Sequence, residues 1–192
     1  MAPPSIRAER RRALRESAGR VLEVGFGCGG TLTEYPSEAG RIASLVGLEP
    51  NPGMTRRAAT RISSAPFPVR IVRASASALP FPDETFDTVT TNWTLCSLRD
   101  LEPSLHEIRR VLGAGGRFLF LEHGRAHDPK LRRRQELIAP LFRLLGGGCH
   151  LGRPIDEALR AAGFRIETLE RYEGTLGPRT ARQMYRGTAR RA

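Results

Sequence analysis

The segment 21–30, VLEVGFGCGG, joins a short apolar run to a turn that contains four glycines. An apolar run of this length is typical of a buried strand, and we expect a helix after the turn. Glycine lets such a turn tighten and lets a ligand approach backbone N–H groups that a side chain would otherwise block. The segment therefore predicts a strand, a turn and a helix, with a ligand at the turn, as in α/β folds.

Four further apolar runs have the character of buried parallel strands, and each ends near glycine, proline or polar residues. They cover residues 43–48, 69–72, 86–91 and 117–122. The segments 164–172 and 183–190 are predicted to pair as a terminal antiparallel hairpin at the sheet edge. Ligands are expected at the carboxyl ends of such strands.

Two helices are indicated between and after these strands. Apolar residues recur at spacings of three and four before the fifth strand, which places them on one helix face; they are Leu101, Leu105, Ile108, Val111 and Leu112. Three glycines, at 113, 115 and 116, are expected to stop this helix. Pro154 and Gly163 are expected to bound the second helix.

Charge and cysteine content limit the function classes. The net charge of +11 and the pI near 11.1 would attract polyanions, yet Lys130 is the only lysine, and an arginine bias of this kind also arises from a GC-rich genome. RNA or a membrane surface is therefore not favoured as a partner, and DNA is not expected. The three cysteines form no CxxC pair, and no His, Cys or carboxylate cluster has metal-ligand spacing, so we expect no metal site.

Length and hydropathy predict one domain over residues 1–192. No stretch approaches the roughly 18 to 20 apolar residues of a spanning helix, and the basic N-terminal run has no apolar core behind it. We therefore expect a cytoplasmic protein. The N-terminal segment can supply one amphiphilic helix, so we predict an open pocket that a second copy of the chain could complete in a homodimer.

Two carboxylates have spacings that suit a nucleoside-containing cofactor. Glu23 lies two residues before Gly25, where it could meet a ligand's ammonium group. Glu49 follows Gly25 by 24 residues, at the end of the second strand, and a carboxylate there can accept hydrogen bonds from both ribose hydroxyls. This arrangement is compatible with NAD or with S-adenosylmethionine.

The runs ASASALPFPDETFDTVTTNWTLCSL and LHEIRRVLGAGGRFLFLE resemble motifs of class I S-adenosylmethionine-dependent methyltransferases with a type 11 methyltransferase domain. Within that superfamily TLCSL, FLEHG and GGGCHL look most like the thiol methyltransferase group of methyltransferase-like proteins. The resemblance spans 21–189. It implies a Rossmann-like, doubly wound, mostly parallel seven-stranded sheet with an antiparallel terminal strand, and in-line methyl transfer to a small thiol, hydroxyl or amine.

The resemblance also implies a role for particular residues. Glu23 and the backbone around Gly25, Gly27 and Gly29 would hold the amino-acid end of S-adenosylmethionine, and Glu49 would hold the ribose. The resemblance places Asn92 at the methionine portion of the cofactor. The residues that it implies at the adenine are Pro50, Asn51, Ser75 and Ala76. Ser75 stands where the family usually has an acidic residue, so adenine binding is expected to depend more on the backbone.

The acceptor side is predicted from two histidines and one insertion. His123 follows the fifth strand on the cofactor side, and His150 lies beside Cys149 in a Gly-rich turn; both are candidate bases. Residues 1–20 form a helical extension, and residues 124–152 an insertion that covers the acceptor site. Pro140 is expected to interrupt the helical pattern of this insertion.

Two other readings stay open at this point. An NAD-dependent oxidoreductase would use the same glycine turn. A non-catalytic S-adenosylmethionine-binding or RNA-associated protein would share the fold without the activity.

Overall fold

The computed structural model describes residues 2–145, 148–175 and 177–192. In these residues seven strands form one sheet; they are β1 (Gly19–Val24), β2 (Ile42–Leu48), β3 (Val69–Val72), β4 (Phe86–Asn92), β5 (Leu112–His123), β6 (Phe164–Glu173) and β7 (Gln183–Arg191). The α-helices are α1 (Pro4–Leu14), α2 (Pro52–Ser63), α3 (Leu101–Val111), α4 (Pro129–Leu145) and α5 (Ile155–Ala161). No helix in the described part of the chain is long and apolar enough to cross a membrane.

The strand order is β3-β2-β1-β4-β5-β7-β6. All neighbours pair in parallel except β7, which is antiparallel to both β5 and β6. The predicted doubly wound, mostly parallel seven-stranded sheet is confirmed, and so are the five parallel strands and the terminal hairpin; β3, however, lies at the sheet edge and has no buried residue, so the prediction that it is buried is wrong. The order reverses beside β1, so the carboxyl ends of β1 and β4 open a crevice of the kind that binds ligands in such sheets.

The prediction of a helix after the glycine turn is wrong. The described residues between the glycines and β2 contain a 3₁₀ turn, Leu32–Glu34, and no α-helix. The connection is short and contains Pro36 and Gly40, which do not favour a regular helix. The chain consequently leaves the glycine turn and returns to the sheet within a few residues.

Helix α3 forms as predicted, but it ends differently. Leu105, Ile108 and Val111 are buried against the sheet, and Leu112 already begins β5. The three glycines expected to follow the helix lie inside that strand. A Cβ on Gly113 would lie 3.3 Å from the carbonyl oxygen of Phe86 on the neighbouring strand, so Gly113 permits close strand approach.

Helix α4 is continuous through Pro140, so the expected interruption there is wrong. Proline removes one N–H donor and crowds the carbonyl of residue 136. Pro140 and Glu136 are both exposed, which leaves that carbonyl within reach of water. Three apolar side chains of α4 face solvent, namely Leu137, Leu141 and Leu144.

Several arginines donate hydrogen bonds to backbone carbonyls. Arg110 donates to the carbonyl oxygens of Phe81 at 2.8 Å and of Leu79 at 3.0 Å. Arg153 donates to those of Leu95 and Leu98. The planar guanidinium presents several donors in a fixed geometry, so each of these side chains ties a loop to a neighbouring element.

Candidate active site

A cavity of about 610 Å³ lies at the carboxyl ends of β1 and β4. Its size is typical of small-molecule and cofactor sites. The walls come from the glycine turn, from α1 and α2, from Asn92 at the end of β4 and from Trp93, which follows it. The predicted site residues among them are Glu23, Gly25, Gly27 and Asn92. The crevice predicted at the strand ends therefore exists in this fold.

Glu23 lines the cavity at the end of β1, although only 1% of its surface is exposed. The Thr31 hydroxyl lies 2.7 and 2.9 Å from the two carboxylate oxygens, and the Tyr35 hydroxyl donates to one of them at 3.1 Å. Burial raises the pKa of Glu23 to about 7, against the opposing effects of these two hydroxyls and of Arg10. A ligand cation at this carboxylate would favour its ionised form.

Three N–H groups of the glycine turn already donate within the protein. The N–H groups of Gly25, Gly27 and Gly29 donate to Leu48, Glu49 and Phe26 respectively, so the expectation that they point at a ligand is not met. A Cβ on Gly25 would lie 2.2 Å from the Thr94 hydroxyl oxygen, whereas a Cβ on Gly27 would meet nothing within 4 Å. Gly25 is needed for packing and Gly27 opens the cavity.

Glu49 links the ends of β1 and β2. One of its oxygens accepts from the Gly27 N–H at 2.9 Å and the other from the Asn51 N–H at 2.9 Å. Each carboxylate oxygen has a second lone pair, and the side chain is partly exposed. Glu49 can therefore still accept hydrogen bonds from ribose hydroxyls.

The residues predicted at the adenine lie outside this cavity. Pro50 and Asn51 are exposed, and the Asn51 side chain caps α2 by accepting from the Gly53 N–H at 2.8 Å. Ser75 is exposed and its hydroxyl contacts that of Ser77, while Ala76 is buried in the core. Their role in binding stays a prediction.

Asn92 ends β4, Trp93 follows it, and both line the cavity. Within the described residues, both side-chain polar atoms of Asn92 and the indole Nε1 of Trp93 are buried without a hydrogen-bond partner. Such atoms cost free energy unless a ligand or water completes them. Trp93 also has a φ of 53°, a conformation that is uncommon for a bulky residue and is concentrated at functional sites.

Helix α1, the predicted N-terminal helix, packs beside the glycine turn. Arg10 donates to the Gly30 carbonyl at 2.9 Å, and its guanidinium lies 5.0 Å from the centre of the Trp93 ring. Arg7 and Arg11 both pair with the buried Glu34, at 2.5 and 2.9 Å. These contacts make α1 one wall of the cavity.

His123 ends β5 beside the cavity, with its ring centre 6.1 Å from that of Trp93. Its Nδ1 lies 3.7 Å from the sulfur of Cys149 and 3.9 Å from the sulfur of Cys96. A hydrogen bond from the Cys96 thiol lowers the pKa of Cys149, and the same bond, together with burial, raises the pKa of Cys96. The sequence spacing did not predict this cluster.

His150, the second predicted base, is tied to the same region through its backbone. Its N–H donates to the carbonyl oxygen of Cys96 at 2.7 Å. The structure therefore places His123 beside Trp93, a residue of the cavity wall, and ties the backbone of His150 to Cys96; neither histidine is among the described residues that line the cavity.

Comparison with known proteins identifies the family of this chain. A methyltransferase domain family matches residues 22–120, more than half of the chain. The chain belongs to this family. The predictions of a methyltransferase enzyme and of S-adenosylmethionine as its cofactor are confirmed at the level of that family.

Three proteins illustrate the relationship. The chain is 30% identical to human thiol S-methyltransferase TMT1A over 85% of its own length and 69% of that protein's. It is 35% identical to the ubiquinone/menaquinone biosynthesis C-methyltransferase UbiE of Geobacter sulfurreducens over 54% of its length, and spans 41% of that relative. A SAM-dependent methyltransferase structure from Methanosarcina mazei aligns with a TM-score of 0.72 at 22% identity, covering 99% of this chain and 98% of that one.

The cavity of this methyltransferase-family chain fits S-adenosylmethionine. The buried carboxylate of Glu23 can pair with an ammonium group, and the polar atoms of Asn92 and Trp93 that lack a partner among the described residues can bond to a polar ligand. The open space beside Gly27 leaves room next to Glu49.

Sequence reasoning missed Arg10, Thr31, Tyr35 and Trp93. Trp93 directly follows Asn92 at the end of a predicted strand, so its place at the site could have been predicted from the sequence. The contacts of Arg10 and Tyr35 depend on how distant segments pack, which no spacing reveals.

Proposed function

We propose that this chain transfers the methyl group of S-adenosylmethionine to the sulfur of a small, apolar thiol. The carrying observation is the cavity in which buried Glu23 and the unpartnered polar atoms of Asn92 and Trp93 face one ligand space, with His123 packed against Trp93. Human thiol S-methyltransferase TMT1A, which is 30% identical to the chain and covered over 69% of its length, supports sulfur over other acceptor atoms.

S-adenosylmethionine supplies a methyl group already activated by its sulfonium, so the protein's task is to hold donor and acceptor close and in line. In this proposal Glu23 binds the ammonium group, Glu49 the ribose hydroxyls and Asn92 the methionine portion. A thiol is already a few per cent thiolate near neutral pH, so no strong base is required. His123 contacts the acceptor, and its action as a base stays a prediction.

We also propose that residues 124–152 cover the acceptor side, within a single domain over 1–192. Ile138 and Phe142 of α4 pack with Trp93 in a cluster that includes both Cys96 and Cys149. This cluster gives the acceptor side an apolar lining. An apolar acceptor would lose less hydration there than a charged one.

Calorimetric titration with S-adenosylmethionine and, separately, with NADH tests the cofactor. We expect saturable binding of S-adenosylmethionine only, weakened at least tenfold by Glu49→Ala because the glycine turn and the ribose both lose a hydrogen-bond partner. Binding of NADH in preference would refute the proposal in favour of an oxidoreductase.

A matched set of acceptors tests the chemistry. Thiophenol, phenol and aniline share one ring and differ in the methylated atom, so labelled methyl transfer to each compares sulfur, oxygen and nitrogen directly. We expect the thiol to react fastest. Transfer to phenol or aniline alone would refute the sulfur assignment, and binding without transfer to any acceptor, including quinols and RNA, would favour a non-catalytic protein.

A further inference from the structure

Three side chains that can bind metals meet beside the cavity. Cys96 follows β4, His123 ends β5, and Cys149 follows α4. One ligand atom from each residue lies within 4.8 Å of the other two. The two cysteines are buried, with 1% and 7% of their surfaces exposed.

The distances suit a tetrahedral ion. Zinc binds thiolate sulfur at about 2.3 Å and imidazole nitrogen at about 2.0–2.1 Å, so tetrahedral angles place sulfur and nitrogen roughly 3.6 Å apart. The two sulfur-to-Nδ1 distances here are 3.7 and 3.9 Å. A few tenths of an ångström of adjustment would bring both into coordination.

We propose that Cys96, His123 and Cys149 bind one zinc ion. Two thiolates and one imidazole form a donor set that favours zinc over magnesium or calcium, which prefer oxygen ligands. Two thiolates also neutralise the charge of a divalent ion. Three protein ligands leave one coordination position for water or another ligand, as in catalytic zinc sites.

The loop that carries Cys96 is held in place independently of a metal. Glu122 accepts hydrogen bonds from the N–H groups of Thr94 and Cys96, at 3.2 and 3.3 Å. The His150 N–H donates to the Cys96 carbonyl at 2.7 Å, which ties this loop to the one that carries Cys149. Arg153 donates to two further carbonyls of the same loop. Binding therefore requires little ordering of the chain.

Zinc binding at Nδ1 would leave the ring proton of His123 on Nε2. The inference does not depend on the acceptor or on methyl transfer. Its test uses metal binding alone.

Metal content after expression with added zinc is the first measurement. We expect about one zinc per chain, reduced at least fivefold in Cys96→Ser and in Cys149→Ser. Cys28→Ser is the matched control, because Cys28 is the third cysteine and lies outside the cluster; it should keep the full zinc content. Zinc below one-tenth of an ion per chain, or loss of zinc in the Cys28 variant alone, would overturn the proposal.

Cobalt titration of the zinc-free wild-type chain guards against a variant that fails to fold. We expect intense visible and near-ultraviolet absorption from a tetrahedral cobalt–thiolate site, abolished by one equivalent of zinc. Mass spectrometry of the chain prepared under reducing conditions completes the test. A Cys96–Cys149 disulfide there, with no cobalt spectrum, would overturn the zinc site and identify a redox pair.

Discussion

The buried carboxyl group of Glu23 allows the site to be tested by stability measurements without any ligand. Its pKa is about 7 in the folded chain, compared with 4.5 for an ordinary glutamate. Between these pH values the unfolded chain has released the proton while the folded chain retains it. The contribution of Glu23 to the free energy of unfolding must therefore fall as pH rises from about 4.5 to 7, and it is constant outside that range.

The difference between the two pKa values corresponds to about 3 kcal/mol, an upper limit for this one group. Glu23→Gln removes the titration and keeps the shape of the side chain. Thr31 and Tyr35 can still donate to the amide oxygen. We therefore expect the variant to gain stability relative to the wild type by up to about 3 kcal/mol between pH 4.5 and pH 8.

Urea unfolding of both proteins at pH 5 and pH 8 measures this gain. The difference in the free energy of unfolding between variant and wild type is taken at each pH, and the change in that difference cancels the effect of the other titrating groups. Glu136→Gln, a change at an exposed position on α4, is the control and should show no pH-dependent gain. Saturating S-adenosylmethionine should reduce the effect, since its ammonium group favours the ionised carboxylate. An equal wild-type-to-Glu23→Gln difference at both pH values would refute the argument from burial.

Two further predictions concern the walls of the cavity. Gly25→Ala should lower the free energy of unfolding by several kcal/mol, because its Cβ would overlap Thr94 at a φ of 78°. Gly27→Ala, with a φ of 57° and open space around it, should lower it by only about 1–2 kcal/mol. Chemical unfolding of the two variants compares these losses, and equal losses would contradict the packing argument. Arg10→Ala should raise the pH midpoint of the Glu23-dependent stability change, because Arg10 favours the ionised carboxylate; an unchanged or lower midpoint in the same assay would disprove that influence.

The sheet was predictable because its strands are continuous apolar runs with distinct ends. The strand 69–72 was predicted with the bounds it has in the structure, and the others within two residues except β5, which begins at Leu112 and not at Arg117 as predicted. The failures occurred where local signals compete with tertiary packing. Pro140 favours a break in an isolated helix, but α4 continues through it at an exposed position, where the carbonyl left without a donor can reach solvent.

Part of the candidate site was also predictable. Glu23 and Gly27 follow from a strand end and a glycine turn, Asn92 was implied by the family resemblance, and all three line the cavity. The Cys96–His123–Cys149 cluster could not be found by ligand spacing, because its members are 27 and 26 residues apart. The pairing of β4 with β5 brings the first two together, and only the packing of the loop after α4 adds the third.

The arginines that bind loop carbonyls have a practical consequence for chemistry at the protein surface. Lys130 is the only lysine side chain, so amine-directed acetylation or crosslinking has a single side-chain target, on exposed α4. Reagents that attack guanidinium groups would instead reach side chains such as Arg110 that fasten backbone loops. Modification of arginine should therefore loosen the fold itself, while modification of lysine should leave it intact.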